Sequence, residues 1–173
     1  RLVGSEMCIR DRMTIANISA EAGLKTSVFP PDDRLADYFG DYAVQGVWAD
    51  ENAVYHKEFT LDLGQVMPLV MVTHQLNDVK SVAEAEMLEI QQGLIGACSN
   101  GRIEDLRVVA RILEGKRLAS GFQLSVIPAS YDIYIQAREE GLVDKITKAG
   151  ASVLGASCGP CLGSSHMLNA DTK

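Results

Sequence analysis

The clearest hydrophobic pattern lies between residues 90 and 155, where short apolar runs alternate with amphipathic segments. Between residues 102 and 114, apolar residues repeat at helical spacing. They are Ile103, Leu106, Val109, Ile112 and Leu113. The predicted strands cover 92–97, 122–128 and 151–154. Ser130 can cap a helix that Gly141 ends, and another short helix is predicted over 142–148. This alternation predicts an α/β fold with a parallel sheet and helices packed on it.

Before residue 90 the pattern is weaker. A helix is predicted over 14–22, with Thr14 as its cap and Gly23 at its end. Asn17 and Glu21 are four residues apart, so this helix would place them on one face. The other elements predicted here are a short helix over 35–39 begun by Asp32 or Asp33, strands at 55–63 and 69–73, and an irregular connector over 75–90.

The composition is that of an acidic globular protein. The chain has 173 residues, of which 47% are hydrophobic and 23% are charged, and its formal net charge is −7. These fractions argue against a disordered chain, and no uninterrupted apolar run approaches the roughly 18 residues of a membrane span. Negative charge disfavours non-specific nucleic-acid binding, which depends on clustered cations. The first dozen residues contain no apolar signal-peptide core, so we expect a cytoplasmic location. From the negative charge and the lack of a long apolar run, we expect neither a nucleic acid nor a membrane as partner.

Residues 1–12 are interpreted as a non-native tail. Positions 6–12 back-translate into a nucleotide string that resembles the transposase mosaic-end adapter of sequencing libraries. The alternative is a genuine, poorly structured N-terminus. Under the adapter interpretation, this tail is expected to make few contacts with the rest of the fold. Setting Cys8 aside leaves three of the four cysteines, an odd number that cannot all pair in intramolecular disulfides.

Those three cysteines follow predicted strands. Cys98 lies between a predicted strand and a predicted helix, and Cys158 and Cys161 follow the last predicted strand. Because loops at the carboxyl ends of parallel strands meet at one edge of the sheet, we expect the three thiols to converge there. The helix N-terminus beside Cys98 would favour its thiolate. Three converging thiolates suit a metal or an iron–sulfur cluster.

Other interpretations of the cysteines stay open at this point. They could be buried structural residues. Cys-Gly-Pro-Cys is also the redox motif of thioredoxin-like proteins, although only twelve residues follow Cys161 and no tryptophan directly precedes Cys158. A structural zinc site needs four ligands, and His166 could be the fourth.

Three separate stretches resemble the aconitase family of hydro-lyases. They are MTIANISAEAG at 13–23, IGACSNGRIEDL at 95–106 and CGPCLG at 158–163. They occur in family order and span about residues 13–163. The second stretch looks most like the large subunits of 3-isopropylmalate dehydratase and its homoaconitase relatives. The segment 164–168 departs from the family pattern, so no role is assigned to His166.

The resemblance implies specific site residues. It implies a [4Fe–4S] cluster whose fourth iron has no protein ligand and binds the substrate. The implied cluster ligands are Cys98, Cys158 and Cys161. Asn17 and Glu21 match active-site positions, with Glu21 in the proton network, and Asn100 matches a residue beside the cluster. Without the resemblance, Asn17 and Glu21 would be interpreted as a solvated helix face, and Asn100 as the cap of the following helix.

The implied activity is isomerisation of a 2-hydroxy di- or tricarboxylic acid by dehydration and rehydration. The first expected substrate is 3-isopropylmalate, of leucine biosynthesis, with homoaconitate or aconitate as alternatives and a small swivel subunit as partner. A different class is a non-catalytic metal- or thiol-binding domain. The implied fold is a three-layer α/β/α domain with a mostly parallel sheet. Residues 13–88 would form a partial aconitase-type domain with a connector. Residues 89–173 would form the α/β domain that carries the cluster cysteines, truncated at its C-terminus, in a fragment inactive alone.

Overall fold

Two short helices open the part of the chain that the structure describes. The computed structural model describes residues 8–40, 46–73, 75, 77–85 and 89–163. Helix α1 covers Ile9–Ile18, and helix α2 covers Asp33–Phe39 and contacts α1. As predicted, the Asp32 carboxylate caps α2, where it accepts a hydrogen bond from Leu35 N at 3.1 Å.

Helix α1 differs from its prediction at both ends. It begins five residues before Thr14, and after Ile18 the backbone continues in turns as far as Gly23. Thr14 does not cap the helix because it lies in the helix interior. Within the segment interpreted as a tail, Arg12 is buried and pairs with Asp32, and Arg10 Nη1 lies 3.5 Å from Asp105 Oδ1. The expectation of few contacts is therefore wrong for residues 9–12, while the origin of the segment stays a prediction.

A small antiparallel sheet follows in the N-terminal half. Strand β1 covers Leu69–Met71, as predicted, and pairs with β2, Val79–Ser81, which lies inside the predicted connector. The strand predicted at 55–63 is wrong, because residues 55–62 form no regular element and Leu63–Gln65 forms a 3-10 turn. A strand needs a neighbour to satisfy its backbone groups, and this apolar segment is mostly exposed instead.

The C-terminal half forms a parallel sheet, as the sequence predicts. Strands β3 (Gln92–Gly96), β4 (Gln123–Ile127) and β5 (Ser152–Val153) lie side by side in that order. Both pairs are parallel, and Ile95 is in register with Val126. The carboxyl ends of all three strands therefore lie at one edge of the sheet.

Three helices connect these strands. Helix α3 covers Ile103–Leu113, α4 covers Tyr131–Glu139 and α5 covers Leu142–Lys148. Ser130 Oγ accepts from Ile133 N at the start of α4, which confirms the predicted cap. Because the three helices contact one another, they form one layer on the sheet. The α/β class and the parallel sheet are confirmed, and the second helical layer stays a prediction.

The hydrophobic core lies between the sheet and these helices. Its centre is built from small and branched apolar side chains. The buried cluster contains Leu106, Val109, Ala110, Leu124, Val126, Ala137, Leu142, Ile146 and Ala151. On the outer surface, an ion pair joins α3 to the end of α4. Arg107 Nε and Nη2 donate to the two Glu140 oxygens at 2.8 and 2.7 Å. The hydrogen bond from Arg107 lowers the pKa of the Glu140 carboxyl. Within the described ranges, no helix is long and apolar enough to cross a membrane.

Candidate functional site

The three cysteines singled out in the sequence follow strands at the same sheet edge. Cys98 comes two residues after β3, in a loop over residues 97–102 that we call the Cys98 loop. Cys158 and Cys161 follow β5 in a second loop over residues 155–163, the Cys158 loop. All three thiols are free and exposed. Topology therefore brings both loops to the carboxyl edge of the sheet, on either side of β4.

Ile127, the last residue of β4, contacts both loops. Its carbonyl oxygen accepts a hydrogen bond from Ala97 N at 2.9 Å. Its side chain lies under the Cys158 loop, where a Cβ on Gly159 would be only 2.8 Å from Ile127 Cδ1. Pro160 beside it is fully buried. The same residue thus anchors the Cys98 loop through its backbone and the Cys158 loop through its side chain.

Two glycines let the Cys98 loop lie this close to β4. Gly96 and Gly101 have φ values of +102° and +94°. A Cβ on Gly96 would lie 2.1 Å from Ile127 O, and one on Gly101 would lie 2.4 Å from the same atom. Neither distance leaves room for a carbon atom. The tight chain path that presents Cys98 therefore requires glycine at both positions.

Helix α1 contacts Cys98 through Asn17. Asn17 Oδ1 accepts a hydrogen bond from Ser99 Oγ at 3.2 Å and is 3.7 Å from Cys98 Sγ, which donates to it. The thiol and the hydroxyl thus share one amide oxygen. The structure brings Asn17 and Cys98 together although 81 residues separate them in sequence.

Thr14 and Asn100 make a second contact between α1 and the Cys98 loop. Thr14 Oγ1 lies 2.8 Å from Asn100 Oδ1 and 3.2 Å from Ser99 O. Sequence reasoning misplaced Thr14 as a helix cap, although its position one turn before Asn17 puts both on one helix face. The alternative role of Asn100 as a helix cap is wrong, because Asp105 caps the start of α3.

Asp105 is a second residue at this site whose contact was not predicted from the sequence. Its Oδ2 accepts hydrogen bonds from Gly101 N at 3.1 Å and Arg102 N at 3.0 Å. An acidic residue at the third position of a helix commonly accepts hydrogen bonds from the backbone N–H groups just before the helix, so this contact could have been predicted from the sequence. Helix α3 begins at Ile103, five residues after Cys98. The helix predicted over 102–114 is confirmed to within one residue at each end, but its N-terminus does not lie directly beside Cys98.

Glu21 is not brought into this arrangement. It lies three residues beyond the end of α1, in the turns before Gly23, and is exposed. Within the described ranges its carboxylate makes no hydrogen bond or ion pair. The prediction that Asn17 and Glu21 share one face of a regular helix is wrong, since α1 ends at Ile18. The role of Glu21 in a proton network stays a prediction.

The thiols are the donors at this edge that suit a soft metal. Among the described residues, no group of three or more His, Cys, Asp or Glu side chains is placed closely enough to hold a metal ion. The chemistry of the donor set nevertheless fits an iron–sulfur cluster: three free, exposed thiols from two loops at one sheet edge. His166, the fourth ligand of the zinc alternative, lies outside the described residues.

Comparison with known proteins gives one family. The model of the aconitase family (aconitate hydratase) matches residues 3–173. The matched range begins inside the segment interpreted as a tail, whose non-native origin stays a prediction. It includes both cysteine loops and helix α1.

Three similar relatives are all named as large subunits. The 3-isopropylmalate dehydratase large subunit of Lachnoclostridium phytofermentans is 44% identical over 160 residues, 91% of this chain and 38% of that protein. The 2,3-dimethylmalate dehydratase large subunit of Eubacterium barkeri is 43% identical over 159 residues, 88% and 37% of the two chains. The probable methanogen homoaconitase large subunit of Methanosarcina mazei is 40% identical over 162 residues, 92% and 41%. This chain spans about two fifths of the length of these relatives. With the family model matched from residue 3 to residue 173, the chain belongs to the aconitase family.

Proposed function

We propose that this chain is part of the large subunit of a [4Fe–4S] hydro-lyase that isomerises a 2-hydroxy di- or tricarboxylic acid. The substrate we propose is 3-isopropylmalate, in leucine biosynthesis. The observation that carries the proposal is that the Cys98 loop and the Cys158 loop lie at one edge of the sheet and both contact Ile127. The names of the relatives support the reaction class, since they include 3-isopropylmalate dehydratase and homoaconitase large subunits.

The residues that would hold the cluster are the exposed thiols of the two loops. They are Cys98, Cys158 and Cys161. When bound, such a cluster supplies an iron without a protein ligand, and this iron acts as a Lewis acid toward the substrate hydroxyl. Three thiolates suffice for that purpose, whereas a closed structural zinc site needs four protein ligands.

The neighbours of Cys98 would orient the thiol and the substrate. Asn17 Oδ1 accepts from Cys98 Sγ at 3.7 Å, so its amide lies at the ligand itself and would line the substrate pocket. Asn100 is held by Thr14 at 2.8 Å, and its exposed amide lies two residues from Cys98. We propose Glu21 as the group that exchanges a proton with the leaving hydroxyl or water. Its exposed carboxylate has no competing ion pair among the described residues.

The proposed partners are a small carboxylic-acid substrate and a small swivel subunit. The relatives are named as large subunits, which supports the second subunit. Homoaconitate and aconitate are the alternative substrates within the family. The cytoplasmic location stays a prediction.

The test of the cluster uses this chain. The protein is reconstituted anaerobically with ferrous iron and sulfide, and iron, acid-labile sulfide and visible absorption are measured per chain. Cys161→Ala should lose most of the bound iron and its absorption. Cys8→Ala is the matched control, because Cys8 is a half-buried free thiol outside the proposed ligand set. Equal iron in the wild type and Cys161→Ala would refute the ligand assignment.

Activity requires a longer protein. We expect the chain alone to turn over none of 3-isopropylmalate, citrate or homocitrate, because catalysis also needs groups that hold the substrate in a reactive geometry. Turnover above the Cys161→Ala control, seen as ultraviolet absorbance of the unsaturated product, would contradict this. For the substrate itself, residues 13–163 are grafted into the matching segment of the L. phytofermentans large subunit and expressed with its small subunit.

The graft also separates the two functional classes. Turnover of 3-isopropylmalate, lost in the Cys161→Ala graft, would support the hydro-lyase. A folded graft that binds iron but turns over no tested substrate would favour the non-catalytic metal- or thiol-binding domain.

A further inference from the structure

The hydrogen bonds of Asp105 lie at the end of the Cys98 loop, outside the set of proposed ligands. We propose that Asp105 is a positioning residue that locks the Cys98 loop and so sets the place of the Cys98 thiol relative to the Cys158 loop. The role of that thiol as a cluster ligand rests on the proposed function, whereas the positioning of the loop rests on the hydrogen bonds of Asp105 alone.

Both peptide groups of Gly101 are held. Its N–H donates to Asp105 Oδ2 at 3.1 Å, and its carbonyl oxygen accepts from Ala129 N at 2.9 Å. The next N–H, of Arg102, donates to the same carboxylate oxygen at 3.0 Å. Hydrogen bonds to an ionised carboxylate are roughly twice as strong as those between neutral groups. Asp105 therefore fixes the end of the loop that leads into α3.

The other end of the loop is held at Ala97, whose N–H donates to Ile127 O. Cys98 lies between these two fixed ends, three residues before Gly101. Without the Asp105 carboxylate, the loop keeps the hydrogen bonds of Ala97 N and Gly101 O and the contacts with α1, but the N–H groups of Gly101 and Arg102 lose their acceptor. Residues that hold a metal ligand through another group typically change metal affinity 10–100-fold when they are removed.

The chemistry of the contact defines the variants. Both hydrogen bonds go to one oxygen, so Asp105→Asn keeps an acceptor for both. It loses the negative charge, and with it the ion pair between Asp105 Oδ1 and Arg10 Nη1 at 3.5 Å. Asp105→Ala removes the acceptor. Glu104→Ala is the matched control, because Glu104 is an exposed acidic residue in the same first turn of α3 and, among the described residues, its carboxylate forms no hydrogen bond or ion pair with the Cys98 loop.

Two measurements on the full, metal-free chain test the proposal. Amide hydrogen exchange at Gly101 and Arg102 reports the lock, and titration with Cd²⁺, followed by the ultraviolet thiolate-to-metal absorption, reports the thiols. We expect Asp105→Ala to exchange these amides about tenfold faster and to bind Cd²⁺ about tenfold more weakly. Asp105→Asn, which keeps an acceptor without the charge, should lie between the wild type and Asp105→Ala in both measurements, and Glu104→Ala should remain close to the wild type.

Each contrary result has one meaning. If Asp105→Ala matched Glu104→Ala in either measurement, or if Asp105→Asn behaved like Asp105→Ala, the positioning role would be overturned. A wild-type chain that bound no Cd²⁺ through its thiolates would overturn it too. Failure of the wild type to assemble an iron–sulfur cluster would refute the proposed function alone, because neither measurement uses iron.

Discussion

Substitution of Gly96 by alanine tests the close approach of the Cys98 loop to β4. The added Cβ would lie 2.1 Å from Ile127 O and 3.1 Å from Ile127 C. Gly96 also has a φ of +102°, a conformation that residues with a side chain rarely adopt. The obstruction is backbone rather than a flexible side chain, so the loop itself must move.

Three costs contribute to the expected loss of stability. The strained backbone of a non-glycine residue costs about 1–3 kcal/mol. The overlap with Ile127 forces a shift that costs about 1–3 kcal/mol, as overpacking does elsewhere. The shift also breaks the 2.9 Å hydrogen bond from Ala97 N, a residue that is 5% exposed, and an unpaired buried donor costs about 1–3 kcal/mol. We expect Gly96→Ala to lose roughly 3–9 kcal/mol, a large fraction of the 5–15 kcal/mol or so that stabilises an ordinary domain.

The assay is urea unfolding followed by circular dichroism, with Gly115→Ala as the control. Gly115 has a φ of +70° with nothing within 4 Å of its added Cβ, so its variant carries only the backbone cost of about 1 kcal/mol. If Gly96→Ala and Gly115→Ala differed by less than about 1 kcal/mol, the steric reasoning would be wrong, because the control also has a positive φ but makes no contact with β4.

Three further predictions concern other contacts. Thr14→Val removes the hydroxyl 2.8 Å from Asn100 Oδ1 and should cost about 1 kcal/mol in urea unfolding, whereas Thr14→Ser should not. The lowered pKa of Glu140 means that its pairing with Arg107 contributes stability above the ordinary value of 4.5, and that this stability is lost as the pH falls through the lower folded-state pKa. Below about pH 5, the melting temperature should therefore fall more steeply with decreasing pH for the wild type than for Glu140→Gln. Parallel profiles of melting temperature against pH would contradict this. Leu106→Ala, at a residue 1% exposed, should cost about 2–5 kcal/mol in urea unfolding, and Ile112→Ala, at one 55% exposed, less than about 1 kcal/mol.

The sheet and helices of the C-terminal half could be predicted because local and global signals agree there. Every helix from α3 to α5 has a cap or a glycine at a boundary, and its apolar face packs on the sheet. At residues 55–63 the local and global signals disagree. Tyr55 to Leu63 alternates like a strand, yet Phe59 is 81% exposed and no strand in the described part of the chain pairs with the segment. Alternation reports a surface suited to pairing, and it carries no information about whether a partner strand is present.

The candidate site could be predicted only as far as the topology determines it. Strand order placed Cys98 and Cys158 at one edge, which the parallel sheet bears out. The contact of Asp105 with the Cys98 loop was missed although its place in the first turn of α3 is a known signal for it. The contact of Thr14 with that loop was missed because the sequence pattern gives helix faces but not which loop packs against them. The end of α1 at Ile18, which separates Asn17 from Glu21, was missed for the same reason: several residues between them could end a helix, and tertiary contacts select one.

The Cys98 loop rests on main-chain atoms of its neighbours, namely Ile127 O and Ala129 N. Every residue except proline offers the same main-chain donor and acceptor, so selection acting through this loop excludes proline at position 129 and otherwise leaves the side chain there free to vary. Selection acts instead on Gly96 and Gly101, where a side chain would collide with Ile127 O. Across diverging homologues, these two glycines should persist as strictly as the thiol they present, including in lineages whose substrate has changed.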